Sequence, residues 1–221
     1  MLGVEHRSIT TPAGTAQLAA DLQLPEQPSG LVVFAHGSGS SRLSPRNRHV
    51  ADVLNGGQIG TVLVDLLTQE DERIDARTAA IRFDIGLLTN RLTAIIDWIG
   101  QQNDLNAPGL GLFGASTGAA AALCCASLRP DHVRAVVSRG GRPDLAGPML
   151  RRVKAPCLFI VGGADDVVVG LNRDAMEQLP ATTERKLEII PGATHLFEEE
   201  GALDRVAVLA RDWFRRVRRL H

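Results

Sequence analysis

The pentapeptide Gly114-Ala115-Ser116-Thr117-Gly118 decides how this chain is expected to fold. Residues 110–113 before it are apolar throughout, as expected of a parallel strand buried on both faces. Residues 119–126 after it are rich in alanine, as expected of a helix packed tightly against a sheet. A serine on a sharp strand-to-helix turn needs small residues on both sides, because the two backbones pass close together there. The stretch predicts a nucleophile elbow with Ser116 at its tip; the five residues alone would also fit a small-residue turn with an incidental serine.

Two further loops carry the groups that a serine nucleophile needs. A serine hydroxyl is a poor nucleophile at neutral pH, so it requires a base to take its proton and a carboxylate to orient that base. Asp165 and Asp166 follow one apolar strand-like run, and His195 follows the next. Since the carboxyl ends of parallel strands share one edge of a sheet, these loops should meet Ser116 there. The residues alone leave the choice between the two aspartates open, and one of them is expected only to cap its loop.

The loop that begins at His36 is predicted to supply an oxyanion hole. It follows the apolar run 31–35, and a loop in this place normally contributes one backbone N–H to a developing oxyanion. The second N–H comes from the residue after the nucleophile. The predicted donors are therefore the N–H groups of Ser38 and Thr117, with Gly39 as the alternative to Ser38. We expect His36 itself to stabilise the loop by hydrogen bonding.

The rest of the chain alternates between strand-like and helix-like runs, which predicts an α/β fold with helices on both faces of a mostly parallel sheet. A turn at Pro12-Ala-Gly14 predicts an N-terminal antiparallel hairpin. The acidic stretch 69–73 is predicted to be a loop, with Asp75 capping a following helix whose apolar stripe starts at Ile81. Eight strands are predicted: 4–10, 16–24, 31–35, 59–67, 110–113, 133–137, 156–161 and 186–190. The connection between the sixth and seventh is too short for a large lid.

Length and composition limit the class of protein. A chain of 221 residues, 44% of them apolar, fits one domain over residues 1–221 with a substantial core. The formal net charge of −1 argues against a surface for nucleic acid or anionic membranes. The N-terminus has no basic segment leading into an apolar run, and no apolar run approaches membrane-spanning length. We therefore expect a cytoplasmic protein.

Neither a metal nor an organic cofactor is expected. The 3 cysteines and 6 histidines show no spacing typical of a metal site. Residues 109–114 match the dinucleotide pattern G-x-G-x-x-G, but the middle of this stretch is the strand itself and not the turn after it. No acidic residue follows at the distance that a dinucleotide site requires.

These stretches make the chain similar to α/β-hydrolases, and more closely to the dienelactone hydrolase family, over almost its whole length. The resemblance is carried by the chain order serine, aspartate, histidine and by segments 36–42, 44–47, 113–118, 138–144, 161–165 and 192–198. It implies an α/β-hydrolase fold and the triad Ser116, Asp165 and His195, because the superfamily pattern places its acid in the order Gly162-Gly-Ala-Asp165. Dienelactone hydrolases proper carry a cysteine nucleophile where this chain has serine. Similar sequences also occur fused to a phosphoribosyltransferase domain, which is not expected within these residues.

The sequence predicts a cofactor-independent serine hydrolase that cleaves carboxylic esters, thioesters or lactones through an acyl-enzyme. The resemblance also implies that Arg139, just past the strand beside the elbow strand, clamps a substrate carboxylate. An ion pair with Asp144 or another loop acid is the alternative role for Arg139. The expected partner is a small-molecule ester, with no nucleic acid and no membrane, and monomer and homodimer both stay open. A hydrolase-fold protein that binds a ligand or partner without catalysis is the competing interpretation.

Overall fold

The strands of the chain form one eight-stranded sheet in the computed structural model, which describes residues 3–105 and 109–218. They are β1 (Val4–Ala13), β2 (Ala16–Pro25), β3 (Leu31–Ala35), β4 (Gly60–Val64), β5 (Leu110–Ala115), β6 (Val133–Arg139), β7 (Cys157–Gly162) and β8 (Arg185–Ile190). Their order across the sheet is β1-β2-β4-β3-β5-β6-β7-β8. β1 and β2 form an antiparallel hairpin, β2 pairs antiparallel with β4, and the other pairs are parallel. The predicted α/β-hydrolase sheet with its N-terminal hairpin is confirmed.

Helices cover both faces of this sheet. They are α1 (Pro45–Gly56), α2 (Gln69–Thr78), α3 (Ile85–Ile99), α4 (Thr117–Leu128), α5 (Asp166–Gln178) and α6 (Ala202–Arg218). Successive strand residues point to opposite faces, so Val33 joins the core under α3 and α4, whereas Phe34 joins the core under α1 and α6. None of the helices in the described ranges has the length and apolar character needed to cross a bilayer.

The acidic stretch 69–73 is helical, and the prediction of a loop there is wrong. The side chain of Thr68 accepts a hydrogen bond from the N–H of Asp71, and the Asp71 carboxylate accepts one from the N–H of Thr68 in return. This capping box satisfies two N–H groups that a helix start leaves unpaired, and acidic residues in a first turn interact favourably with the helix dipole. The acidic residues therefore mark the beginning of α2.

The prediction that Asp75 caps the next helix is also wrong. Asp75 lies inside α2, where its carboxylate accepts hydrogen bonds from the backbone N–H and Nε of Arg82 at 2.8 and 2.6 Å. The apolar stripe begins later than predicted, because Ile81 belongs to a short 3₁₀ helix, Ile81–Phe83. α3 is capped by Asp84, whose side chain accepts a hydrogen bond from the N–H of Leu87 at 2.9 Å.

The start of α4 lies closer to β3 than any side chain would allow. A Cβ on Gly118 would overlap the carbonyl oxygen of Ala35 and lie 2.6 Å from that of His36. A Cβ on Gly114 would lie 2.7 Å from the backbone nitrogen of Ala119. Residues 117–127 of α4 are all buried, which the run of alanines permits. The two glycines thus let strand, turn and helix pack backbone against backbone.

Replacement of Gly118 by alanine should destabilise the fold, because the new methyl group meets backbone atoms that cannot rotate away. We expect Gly118→Ala to lower the free energy of unfolding by about 1–3 kcal/mol or more. Gly170, inside α5, is the matched control, since a Cβ there would meet nothing within 4 Å. Gly170→Ala should raise the free energy of unfolding by about 0.5–1 kcal/mol. Urea unfolding of both variants measures the difference; equal shifts would show that α4 has room to move.

Candidate active site

Ser116 occupies the turn between β5 and α4 at the carboxyl edge of the parallel strands. Its backbone φ is 49° and its ψ −121°, a conformation that a residue with a Cβ adopts only under strain. The segment after β6 holds it there: Ser116 donates its N–H to the carbonyl of Arg139 at 3.3 Å, and its own carbonyl accepts the N–H of Arg142 at 3.0 Å. The side chain is partly exposed. The structure therefore presents this hydroxyl on a rigid, strained turn, as an elbow requires.

His195 and Asp165 lie side by side on the loops after β8 and β7. Nδ1 of His195 is 2.7 Å from Oδ2 of Asp165, which is hydrogen-bond distance. With the proton on Nδ1 the imidazole donates to the carboxylate and keeps Nε2 free as a base. Asp166, in contrast, is exposed and begins α5, where its charge complements the helix dipole. The structure thus pairs the histidine with the first of the two adjacent aspartates.

The missing side chain at Gly162 allows the two loops to come together. A Cβ on Gly162 would lie 2.5 Å from the carbonyl oxygen of Thr194, so only glycine permits the loop after β8 to cross the end of β7 here. The crossing is fixed by a hydrogen bond from the N–H of Ala164 to the carbonyl of Ala193 at 2.9 Å. Asp165 stands at the N-cap position of α5 but makes no capping bond, which leaves its carboxylate for His195.

The segment at Gly140 has Ser116 and His195 as neighbours. The N–H of Ser116 bonds to the residue before this glycine, and Cε1 of His195 lies 3.6 Å from the position that a Cβ on Gly140 would take. No hydrogen bond joins the Ser116 hydroxyl to His195 within residues 3–105 and 109–218. Catalytic hydrogen bonds are often long in ligand-free enzymes and shorten when substrate binds. The structure places the three residues on loops at one edge of the sheet and shows one hydrogen bond among them, between His195 and Asp165.

The two predicted oxyanion donors are also neighbours. The N–H of Ser38 donates to Oγ1 of Thr117 at 3.1 Å. The N–H of Thr117 is at the first position of α4, where the helix supplies no acceptor for it. The loop passes the elbow at contact distance, since a Cβ on Gly37 would lie 2.9 Å from Cβ of Ser116. Gly39, the alternative donor, has a φ of 68° and lies farther along the loop.

His36 is buried beneath the same loop and links it to the end of β4. Its Nε2 accepts the N–H of Leu66 at 2.9 Å, and its Nδ1 lies 2.9 Å from the carbonyl oxygen of Gly37. Because Nε2 is an acceptor, Nδ1 carries the proton and donates to that carbonyl. Burial lowers the pKa of His36, so the ring is held in its neutral form. These contacts are those of a residue that stabilises a loop.

Asp65 is a further anchor of this loop, and the sequence analysis did not identify it. Its carboxylate accepts the backbone N–H of Arg42 at 2.6 Å and also pairs with the Arg42 guanidinium. Arg42 contacts Asp21 as well, with Nε 3.5 Å from Oδ2. The sequence carried no clear signal for this role, because the predicted strand 59–67 includes Asp65 whereas β4 ends at Val64, and because its partner Arg42 lies on another loop.

Arg139 is buried at the end of β6 without a carboxylate partner among the described residues. Its side chain reaches α1, where Nη2 lies 3.4 Å from Oδ1 of Asn47, and its Nε has no partner. Burial lowers the pKa of Arg139 to about 10, and the nearby charge of Arg46 acts in the same direction. Asp144, the acid considered as its partner, instead binds Arg142 through two hydrogen bonds of 2.9 and 2.7 Å.

A cavity of about 510 Å³ adjoins the outer side of the oxyanion loop. Its walls combine apolar and charged side chains, including those of Leu43, Arg46, Leu67 and Glu72. The space is open to solvent, and Ser116, Asp165 and His195 are not among its lining residues. Within the described ranges, no three His, Cys, Asp or Glu side chains are grouped so that they could hold a metal ion.

Comparison with known proteins identifies the family and agrees with the fold. The profile of the dienelactone hydrolase family matches residues 49–220. The chain belongs to that family. A crystal structure of dienelactone hydrolase from Anabaena variabilis is 53% identical in sequence and superimposes with a TM-score of 0.93. The match covers 96% of this chain and 98% of that one.

Two other similarities are less direct. Two curated Mycobacterium tuberculosis proteins, from strains CDC 1551 / Oshkosh and H37Rv, are 54% identical over 211 residues, and each is named "Putative phosphoribosyl transferase". The match covers 96% of this chain but only 46% of their length. Est1E from Butyrivibrio proteoclasticus shares the fold at 14% identity, with a TM-score of 0.78 over 95% of this chain and 98% of its own.

The pairing of His195 with Asp165 predicts different effects of two adjacent substitutions in this dienelactone hydrolase family member. Asp165→Asn should lower the turnover of a model ester by as much as roughly ten-thousand-fold, because an amide favours the wrong imidazole tautomer. Asp166→Asn is the matched control and should change turnover little, since that side chain is exposed at the start of α5. Steady-state kinetics on both purified variants decide; a larger loss for Asp166→Asn would contradict the pairing.

Proposed function

We propose that this chain is a serine hydrolase that cleaves carboxylic esters through an acyl-enzyme, with thioesters and lactones as related substrates. Membership of a hydrolase family supports hydrolysis in general, and the serine-dependent ester reaction is the proposal. The observation that carries it is the 2.7 Å contact between His195 and Asp165, together with a φ of 49° at Ser116 on the same sheet edge. A strained serine, a basic imidazole and an orienting carboxylate on one sheet edge are the groups that nucleophilic acyl transfer needs.

Each group has one role in the proposed reaction. Ser116 Oγ attacks the ester carbonyl carbon while Nε2 of His195 takes its proton, and the carbonyl π electrons move onto the oxygen. The N–H groups of Ser38 and Thr117 stabilise that oxyanion. His195 then donates the proton to the leaving alcohol as the acyl-enzyme forms. Water, deprotonated by the same imidazole, attacks the acyl-enzyme carbonyl. As the acid leaves, the imidazolium returns the proton to Ser116 Oγ and restores the hydroxyl.

The name of the longer M. tuberculosis relatives does not favour transferase chemistry here. This chain spans 46% of their length, so their whole-protein activity belongs to a larger molecule. The Anabaena dienelactone hydrolase is covered over 98% of its own chain and is the better guide to these residues. The competing interpretation, a hydrolase fold that binds a ligand without turnover, has to explain the strained Ser116 beside His195.

A fluorophosphonate probe tests the nucleophile directly. We expect the probe to label the native protein at Ser116 and to leave Ser116→Ala unlabelled, as read by mass spectrometry of the peptides. Turnover of p-nitrophenyl acetate should fall by roughly a million-fold in Ser116→Ala, because the triad acts as one unit. Labelling at a different serine, or no labelling of well-folded protein, would support the ligand-binding interpretation.

We also propose that Arg139 contacts an acidic group of the substrate. A buried charge without a partner is costly, and Arg139 is only 7% exposed. The nearest acceptor is the neutral side-chain oxygen of Asn47, and the neighbouring Arg46 adds further positive charge. A carboxylate on the substrate would supply the missing counter-charge in a bidentate contact.

Substitution of Arg139 should therefore change specificity more than general activity. A charged hydrogen bond is worth about 1.5–3 kcal/mol. We expect Arg139→Met to reduce the ratio of kcat/KM for an acidic ester to kcat/KM for a neutral ester of similar size by about ten- to a hundred-fold. Arg142→Met is the control, because its guanidinium is already paired with Asp144. Equal losses on both esters with a lower melting temperature would show that Arg139 is structural.

A further inference from the structure

Thr117 places a hydroxyl group inside the oxyanion hole, in addition to the backbone N–H that the sequence predicts. Its Oγ1 accepts the N–H of Ser38 at 3.1 Å, and the residue is only 2% exposed. In the described part of the chain this is the one hydrogen bond between the loop 36–44 and the elbow 114–118. The Thr117 side chain therefore links the two halves of the hole.

This contact changes what the hole must do when substrate binds. The N–H of Ser38 has one proton, and in the free protein that proton is directed at Oγ1 of Thr117. A substrate oxygen that accepts from both Ser38 and Thr117 N–H groups must arrive close to Oγ1. If no proton lay between Oγ1 and the substrate oxygen, their lone pairs would repel each other at such a distance. A threonine hydroxyl avoids this, because its O–H rotates and changes Oγ1 from acceptor to donor.

We propose that the Thr117 hydroxyl is a third donor to the oxyanion. In the free protein it accepts the Ser38 N–H and keeps that donor aimed at the site; as the oxyanion forms, it turns its proton towards the negative oxygen. No proton is transferred in this step. The anion gains one O–H hydrogen bond beside its two N–H hydrogen bonds, while the Ser116 proton moves to His195 as before. The inference rests on the proposed serine hydrolase function.

The surroundings of Thr117 favour this role over simple packing. Glycine at position 37 lets the loop lie in contact with Ser116, where a larger residue would not fit. The buried His36 and the pairing of Arg42 with Asp65 hold both ends of the loop. The movable part of the hole is then the hydroxyl proton of Thr117. A hole that adjusts by one bond rotation remains preorganised, which is the condition for strong electrostatic stabilisation.

Valine and serine at position 117 test the proposal, since valine keeps the shape without the hydroxyl and serine keeps the hydroxyl. We expect Thr117→Val to lower kcat for p-nitrophenyl acetate by about a hundred- to a thousand-fold, the loss typical of one oxyanion donor, with little change in KM. Thr117→Ser should restore kcat to within about ten-fold of the native value. Thr93→Val, which replaces a buried threonine of α3, is the matched control and should retain native kcat.

Three outcomes overturn the inference. A Thr117→Val variant at least as active as the native protein would show that the hydroxyl only accepts the Ser38 N–H in the free protein and does not stabilise the oxyanion. A Thr117→Ser variant as slow as Thr117→Val, with both unfolding at a lower temperature, would show a structural role. End-point fluorophosphonate labelling of Ser116 in every variant distinguishes these two outcomes from a failure of the proposed function. The third outcome is a native protein that takes no probe and hydrolyses no ester, which would overturn both the proposed function and the role of Thr117.

Discussion

Backbone contact between the first turn of α4 and the carboxyl end of β3 determines the geometry of the sheet edge that carries the candidate site. Gly118 has no space for a Cβ because the carbonyl groups of Ala35 and His36 occupy it. The same residues begin the loop that carries Ser38, so the position of the helix also sets the position of that loop. Ser116 is strained for the same reason, since the chain must turn from β5 into α4 within one residue. Backbone atoms in contact cannot be relieved by a side-chain rotation, so this contact leaves little room for shifts.

Arginine–carboxylate pairs organise the loops on this edge, and two groups stand apart from the pattern. Pairs tie down the loops after β3, β4 and β6; they are Arg42 with Asp65, Arg91 with Asp71, Arg82 with Asp75, and Arg142 with Asp144. Asp165 instead has an imidazole as its partner, and Arg139 has only an amide oxygen. Paired charges stabilise a loop, whereas a charge without an opposite one retains capacity for a ligand or a reaction.

The sequence predicted those features that depend on local backbone requirements. Gly114 and Gly118 predicted a close strand-to-helix contact, because a Cβ has no room at either position. The crossing of the loops after β7 and β8 at Gly162 was not predicted, because the residues that it contacts, Ala193 and Thr194, lie on the next strand's loop. The acidic stretch 69–73 was interpreted wrongly, since the same residues suit a solvated loop and a helix start, and the capping role of Thr68 decides between them. The roles of Asp65 and Asn47 could not be predicted, because their partners lie far away in sequence. Nothing in the sequence indicated that Oγ1 of Thr117 meets the N–H of Ser38.

The alanine run of α4 has a consequence for observing this protein in solution. No surface is exposed at the four alanines of residues 119–122. Ala119 occupies the space that a Cβ on Gly114 would take. The buried methyl groups of the four alanines lie in the first turns of the helix that follows Ser116, and none belongs to a side chain proposed to react. Isotope-labelled alanine methyls would therefore act as built-in magnetic-resonance reporters of the elbow, sensitive to acylation of Ser116 and free of any added dye or mutation.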